Sequence, residues 1–157
     1  EHTVKWYDRV GFDPNQVIFP LQGRTPKEYL HCLDLLLEEG MEPEYVGLGG
    51  LIVKKPAQIQ STLQLIPQLK KRNLNCHVFG LGVGWVNQIK NLNPTSWDTS
   101  HAVRMAVDGI MLGNNLQKMN DVSGLDSWER LNLCYWNNHK IERYLDSPNY
   151  HCTLRDF

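Results

Sequence analysis

Asp98 is the residue of this sequence best placed to react. It closes the short run Ser96-Trp97 inside Pro94-Thr95-Ser96-Trp97-Asp98-Thr99-Ser100, and a helix-like pattern from His101 to Val107 begins at once. A carboxylate at the end of a strand, just ahead of a helix, stands where parallel α/β folds keep their chemistry. Such a group can serve as the reacting group of a site. Two strand ends upstream carry glycines, Val46-Gly47-Leu48-Gly49-Gly50-Leu51 and His77-Val78-Phe79-Gly80-Leu81-Gly82. Glycine lets a flat ligand approach the backbone closely. A third strand end closes on Gln22-Gly23, and an amide there offers both a donor and an acceptor. Each feature also has a plainer reading. Asp98 could cap the following helix with help from Thr99 and Ser100; Gln22-Gly23 could be a turn with a surface amide; Gly49-Gly50 could be a tight strand-to-helix loop.

The elements that must position these residues follow from the apolar pattern. Val17 to Leu21 reads as a strand, with Pro20 near its end because proline removes a ladder donor. Thr25-Pro26-Lys27-Glu28 opens a helix by N-cap, first-turn proline and capping box, and Tyr29, Leu30, Leu33, Leu36 and Leu37 continue it until Gly40. His31 beside that stripe reads as a packed or partly exposed histidine. Tyr45 to Leu48 is a second strand. A helix over 56–72 follows, with a kink or break expected at Pro67. Cys76 to Phe79 is a third strand, Trp85, Val86, Ile89 and Leu92 mark a short helix, and Ser96-Trp97 is a fourth strand end. Strand and helix thus alternate about four times, which is the pattern of a parallel sheet. After Ile110 a polar loop, Gly113 to Gly124, leads to a second capping signature, Asp126-Ser127-Trp128-Glu129. The helix after it carries Trp128, Leu131, Tyr135, Ile141 and Tyr144. The expected division is a half-barrel of (βα) units over 1–112, then a loop and an appended helix over 113–157. In the first fifteen residues only Trp6, Tyr7 and Phe12 suggest packing groups.

Bulk composition narrows the class. The chain has 157 residues, 41% hydrophobic and 21% charged, with a net charge of −1. That is ordinary for a soluble globular domain, and it gives no global positive field to gather nucleic acid. Contacts with phosphates would come from local clusters such as Lys54-Lys55 and Lys70-Lys71-Arg72. These could equally be solvated surface, the second at a helix C-terminus that suits cations. No apolar run approaches the ~20 residues of a membrane span, and the N-terminus is not signal-like. The first residue is Glu1 rather than Met, so a processed piece is expected. Cys32, Cys76, Cys134 and Cys152 show no short paired spacing, which suits a reducing, cytoplasmic setting.

The ordered set Leu21-Gln22-Gly23, Gly47-Leu48-Gly49-Gly50-Leu51, His77-Val78-Phe79-Gly80-Leu81-Gly82 and Ser96-Trp97-Asp98 resembles the tRNA-guanine transglycosylase superfamily. The likeness covers roughly residues 17–112 and matches the last four strands of that family's barrel. It is nearest to the DpdA branch, whose members exchange guanine in DNA for a 7-deazaguanine base. Leu21-Gln22-Gly23-Arg24-Thr25-Pro26 followed by Tyr29-Leu30, the His-x-Phe-Gly start at His77 and the serine-rich setting of Asp98 favour that branch. The resemblance implies the C-terminal half of a TIM-type (β/α)8 barrel and a glycosyltransferase (pentosyltransferase) acting on DNA, with tRNA as the alternative substrate. It makes Asp98 the nucleophile that displaces guanine and Gln22, with Gly23, the reader of the purine edge. Gly49, Gly50 and Leu51 become the backbone that contacts the base, and Gly80 and Leu81 the loop flanking it. No cofactor is implied. The tRNA branch carries zinc on a Cys-x-Cys-x-x-Cys motif with a later histidine, and nothing of that form follows Asp98. Cys134, His139, His151 and Cys152 are too irregular in spacing to replace it, so no metal is expected. The family's general acid/base aspartate and a second base-contacting aspartate belong to the first half of the barrel. A complementary half-barrel, from another chain or segment, is therefore the expected partner besides nucleic acid. A half-barrel retained only as a subunit or nucleic-acid-binding scaffold is the non-enzymatic alternative.

Overall fold

A computed structural model describes residues 17–121 and 124–146 of the chain. Trp6, Tyr7, Phe12, His151 and Cys152 lie outside the described residues. Within them the chain divides into two compact units, one of residues 17–81 and 87–98, the other of residues 82–86, 99–121 and 124–146.

The first unit is α/β. Its strands are β1 (Phe19–Leu21), β2 (Tyr45–Leu48), β3 (Asn75–Val78) and β4 (Ser96–Trp97). They form one sheet in the order β1-β2-β3-β4, and every pair is parallel. Helix α1 (Pro26–Glu38) connects β1 to β2. Helices α2 (Pro56–Leu63) and α3 (Ile66–Lys71) connect β2 to β3, and α4 (Val86–Leu92) leads into β4. The strand–helix alternation expected from the sequence is present.

Alternation along the strands explains what the sheet buries. Phe19, Leu21, Val46, Leu48, Cys76 and Val78 are all 1% exposed or less. Their neighbours across the pleat are of another kind: Pro20, Tyr45, Gly47, His77 and Ser96. α1 and α3 contribute Tyr29, Leu33, Ile66 and Leu69 to the core, all fully buried, and pack against β1 and β3 respectively. Burial pushes the Cys76 thiol up to about 12, so it behaves as a small hydrophobe.

Local signals hold with small differences. Thr25 is the N-cap of α1, its Oγ1 accepting from the Glu28 amide at 3.4 Å. The Glu28 carboxylate accepts from the Arg24 amide at 2.5 Å, one residue earlier than a capping box requires. That bond holds the exposed Glu28 carboxyl below its usual range. The expected interruption near Pro67 is a break at Gln64-Leu65, and Pro67 falls in the first turn of α3, where its missing amide costs nothing. Pro20 stands in an edge strand, where a missing ladder donor is tolerated. Of the basic cluster after Pro67, Arg72 pairs with Asp34 at 3.6 Å on the surface, and the Lys70 ammonium donates to the Asn93 carbonyl.

The second unit contains α5 (His101–Val107), strands β5 (Ile110–Leu112) and β6 (Lys118–Asp121), and α6 (Ser127–Asp146). The stretch over 113–124 is thus not a plain loop. Its second half turns back as β6, antiparallel to β5 with an irregular register at Met111/Leu112. Asp126 caps α6 as expected, its carboxylate accepting from the Glu129 amide at 2.8 Å while Glu129 accepts from the Asp126 amide at 2.9 Å. Trp128 and Tyr135 are each 68% exposed, and Leu131 is exposed too; Ile141 and Tyr144 are the buried members. Asn137, fully buried, joins α6 to its neighbours: its Oδ1 accepts from the Leu112 amide at 2.8 Å and its Nδ2 donates to the Ile110 carbonyl at 2.9 Å. A buried polar side chain with its partners in place fixes one arrangement of the elements it joins. The 20-residue α6 carries too many polar groups to cross a membrane, and no helix among the described residues is long and apolar enough to do so.

Candidate active site at the C-terminal ends of the parallel strands

Register determines which side chains share the rim of the sheet. Leu21 stands beside Leu48, Leu48 beside Val78, and Val78 beside Trp97. One residue further along each strand the ladder still holds. The amides of Gly49, Phe79 and Asp98 donate to the carbonyls of Leu21, Leu48 and Val78 at 3.0, 3.2 and 3.2 Å. Gln22, Gly49, Phe79 and Asp98 therefore form one row along the C-terminal ends of the strands.

The Asp98 carboxylate does not cap α5. Ser100 is the N-cap residue there, without a side-chain cap bond, and Thr99 Oγ1 accepts from the His101 amide at 3.2 Å. Asp98 Oδ1 instead accepts from the Gly80 amide. Gly80 has φ of +65°, a left-handed conformation that glycine adopts without strain, and this turn aims its N–H at the carboxylate. Of the two hydroxyls named as helpers for that cap, Thr99 serves the start of α5, and the Asp98 carboxylate is held by a backbone amide instead. The Asp98 side chain is 57% exposed, so one oxygen is held while the carboxylate stays open to a reactant.

Gln22 is exposed and its side chain lies over Gly49, with Cγ 3.5 Å and Nε2 3.6 Å from the point where a Cβ on Gly49 would sit. The two loops meeting there are pinned from beneath. The buried Tyr29 hydroxyl donates to the Gly49 carbonyl, and burial pushes its phenol up to about 12, so it remains a donor at neutral pH. The Lys54 ammonium donates to the carbonyls of Gly23 and Arg24 at 2.6 and 3.1 Å and lies 5.3 Å from the centre of the Tyr29 ring. Lys54 is thereby a loop staple, and Lys55 is the exposed cation of that pair. Gly23 is committed to structure: its carbonyl is taken by Lys54, and a Cβ there would lie 2.7 Å from Glu28 Cβ. Leu51 and Leu81 are 1% and 2% exposed; their side chains anchor the loops, so only backbone from these positions can face a ligand. Gly50, with φ of +68°, has nothing within 4 Å of a would-be Cβ and leaves open space at the rim.

Four residues without an assigned role in the sequence reading belong to this site. His77, only 8% exposed, has Nδ1 2.7 Å from Ser96 Oγ, and Ser96 Oγ also hydrogen-bonds the Tyr45 hydroxyl. His77 Nε2 is buried without a hydrogen-bond partner and faces Asp98 Oδ2 at 3.7 Å. Phe79 packs edge-on to His77 with ring centroids 4.4 Å apart. The signal in the sequence was the polar member of each strand pair, His77 between Cys76 and Val78 and Ser96 before Trp97. Without register it could not say that they converge. Among the described residues no group of three or more His, Cys, Asp or Glu side chains is arranged to hold a metal ion. No protein-family model matches the chain, and no curated protein matches its sequence.

Proposed function

We propose that the chain is the C-terminal half of a (β/α)8 barrel and forms part of a base-exchanging transglycosylase, which replaces guanine in DNA by a 7-deazaguanine base. The observation that carries the reading is the row Gln22, Gly49, Asp98 at the C-terminal ends of consecutive parallel strands, with Asp98 half-exposed and one of its oxygens held by an amide. The strand order runs β1-β2-β3-β4 without reversal, as a singly wound barrel requires and a doubly wound sheet does not.

In this reading Asp98 attacks C1′ of the nucleotide from the face opposite the base. The C1′–N9 bond breaks, its electron pair goes to guanine, and a proton from an acid on the complementary half makes guanine a neutral leaving group. The incoming base attacks C1′ next through N9, its N9 proton returns to the group on the complementary half that protonated guanine, and the Asp98 carboxylate departs with the electron pair of the C1′–O bond. Two inversions give net retention. Gln22 reads the purine edge by paired donor and acceptor contacts, and Gly49 with Gly50 gives the base a flat bed of backbone. DNA is proposed ahead of tRNA because the residues around Gln22, His77 and Asp98 resemble those of the DNA-modifying branch. The reaction needs no cofactor.

Two tests follow directly. Gln22→Ala is expected to weaken base selection yet leave turnover, since one lost hydrogen bond to the base costs about 1–3 kcal/mol. The readout is competition between guanine and adenine for the site; unchanged selectivity would remove Gln22 from recognition. The second concerns assembly. A closed barrel needs about eight strands, and β1 and β4 are the edges of the sheet described. An open parallel edge is a template for pairing. Light scattering is expected to show this chain in a complex with a complementary half-barrel; a cooperatively folding monomer over the micromolar range would refute that assembly.

A further inference from the structure

We infer that Tyr45, Ser96 and His77 form a polarised hydrogen-bond relay that fixes His77 as its neutral Nε2–H tautomer and aims that proton at Asp98, making His77 the residue that positions the carboxylate for attack. The inference rests on the reading of Asp98 as the nucleophile.

The direction of the relay follows from its end. Asp98 is a carboxylate, and an ionised carboxylate only accepts. The atom facing Oδ2 at 3.7 Å is His77 Nε2, buried and without another partner. A bare Nε2 lone pair there would oppose the carboxylate charge, whereas an Nε2–H is attracted to it. With the proton on Nε2, Nδ1 of a neutral imidazole must accept. Its partner at 2.7 Å is the Ser96 hydroxyl, which then donates to Nδ1 and leaves its lone pairs for the Tyr45 hydroxyl. Tyr45 thus donates to Ser96, Ser96 donates to His77 Nδ1, and the His77 Nε2–H points at Asp98. For a neutral imidazole the opposite polarity ends on two lone pairs facing each other at His77 and Asp98.

A separation of 3.7 Å is too long for a formed hydrogen bond. It is also a distance that a turn of the Asp98 side chain closes, and that side chain is more than half exposed whereas His77 is held on three sides. Ser96 holds Nδ1, Phe79 packs against the ring, and the backbone of β3 is locked between β2 and β4. Catalytic hydrogen bonds are commonly long before substrate arrives and tighten with it. Once tightened, Oδ1 receives the Gly80 amide and Oδ2 receives His77, so the carboxylate plane is fixed from two sides. The same Nε2–H stabilises the carboxylate charge as Asp98 leaves C1′ in the second displacement. His77 touches neither base nor sugar in this account; it acts through Asp98.

The test has a spectroscopic arm and a kinetic arm. In ¹⁵N-histidine-labelled protein at neutral pH, with His77→Gln used to assign the signal, His77 is expected to show a pyridine-like Nδ1 and a pyrrole-like Nε2. Ser96→Ala should mix the tautomers in a protein that still folds cooperatively, with a melting temperature lowered by the loss of its bonds to His77 and Tyr45. A protonated imidazolium, an Nδ1–H form, or a spectrum unmoved by Ser96→Ala overturns the relay, whatever the protein catalyses. In the assembled enzyme, His77→Asn should lower kcat by about 10- to 100-fold, the usual worth of a hydrogen bond to a charged group, with KM for the base little changed. His77→Gln, whose amide reaches the place of Nε2, should recover most of that loss. Equal loss in the Asn and Gln variants, or loss confined to KM, overturns the positioning role. Absence of exchange by the wild-type protein would instead remove the transglycosylase reading and leave the spectroscopic arm to decide the relay.

Discussion

The Asp98→Asn protein is expected to lose base exchange by about 10⁴-fold or more, the scale on which covalent enzymes lose activity without their nucleophile, while keeping its fold. The amide has the shape of the carboxylate, and its oxygen can still accept from the Gly80 amide as Asp98 Oδ1 does. What it lacks is a charged oxygen able to bond C1′ and leave again. Asp98 is 57% exposed in its side chain, so the change removes no buried charge and stability should move by no more than about 0.5 kcal/mol. The measurement is guanine exchange into duplex DNA and into tRNA, joined to trapping of a protein–nucleic-acid adduct and a thermal melt. Full exchange by Asp98→Asn, or an adduct mapped to another residue, would end the assignment. Exchange confined to tRNA would keep Asp98 and replace the proposed substrate.

Much of the first unit was legible because its signals are local. Thr25-Pro26 opens a helix wherever it stands, and Tyr45–Leu48 and Ser96–Trp97 begin and end where the apolar runs do. Parallel strands in sequential order bring their C-terminal ends to one rim, so naming the strand ends also named the row of Gln22, Gly49 and Asp98. Register was not legible. That His77 stands beside Gly47 and Ser96 depends on hydrogen bonds between segments about 20 to 30 residues apart, and no window of sequence contains both partners. The second unit was harder for a different reason. Lys118-Met119-Asn120-Asp121 has no alternating apolar pattern to mark it as β6. Helix α6 has aromatic residues on several sides, so periodicity could not tell its buried face. That face is organised by Asn137, a residue whose type alone suggests solvent.

Gly47→Ala is expected to damage both the stability and the site of the first unit. Gly47 is fully enclosed in the central strand β2, on the face shared by His77 and Phe79. A Cβ there would lie 2.2 Å from Phe79 Cε2, 3.0 Å from Phe79 Cδ2 and 3.0 Å from Ile18 Cγ2. Contacts that short force a neighbour to move, and overpacking of this kind costs about 1–3 kcal/mol. The ring cannot yield by bending; it must swing from its place over Gly47. The nearest atoms to the Cβ position of Gly49 are those of Gln22 and the Leu21 carbonyl, not of the ring. A displaced ring loses its edge contact with His77 at 4.4 Å and rises toward the row in which Gly49 and Asp98 flank it. The expected result is a lowered melting temperature together with a raised KM for the incoming base. Phe79→Leu in the same protein should recover part of the stability, because the smaller side chain removes the clash. A Gly47→Ala protein that melts like wild type, or a double variant no more stable than Gly47→Ala alone, would show that the ring is not what the missing side chain makes room for.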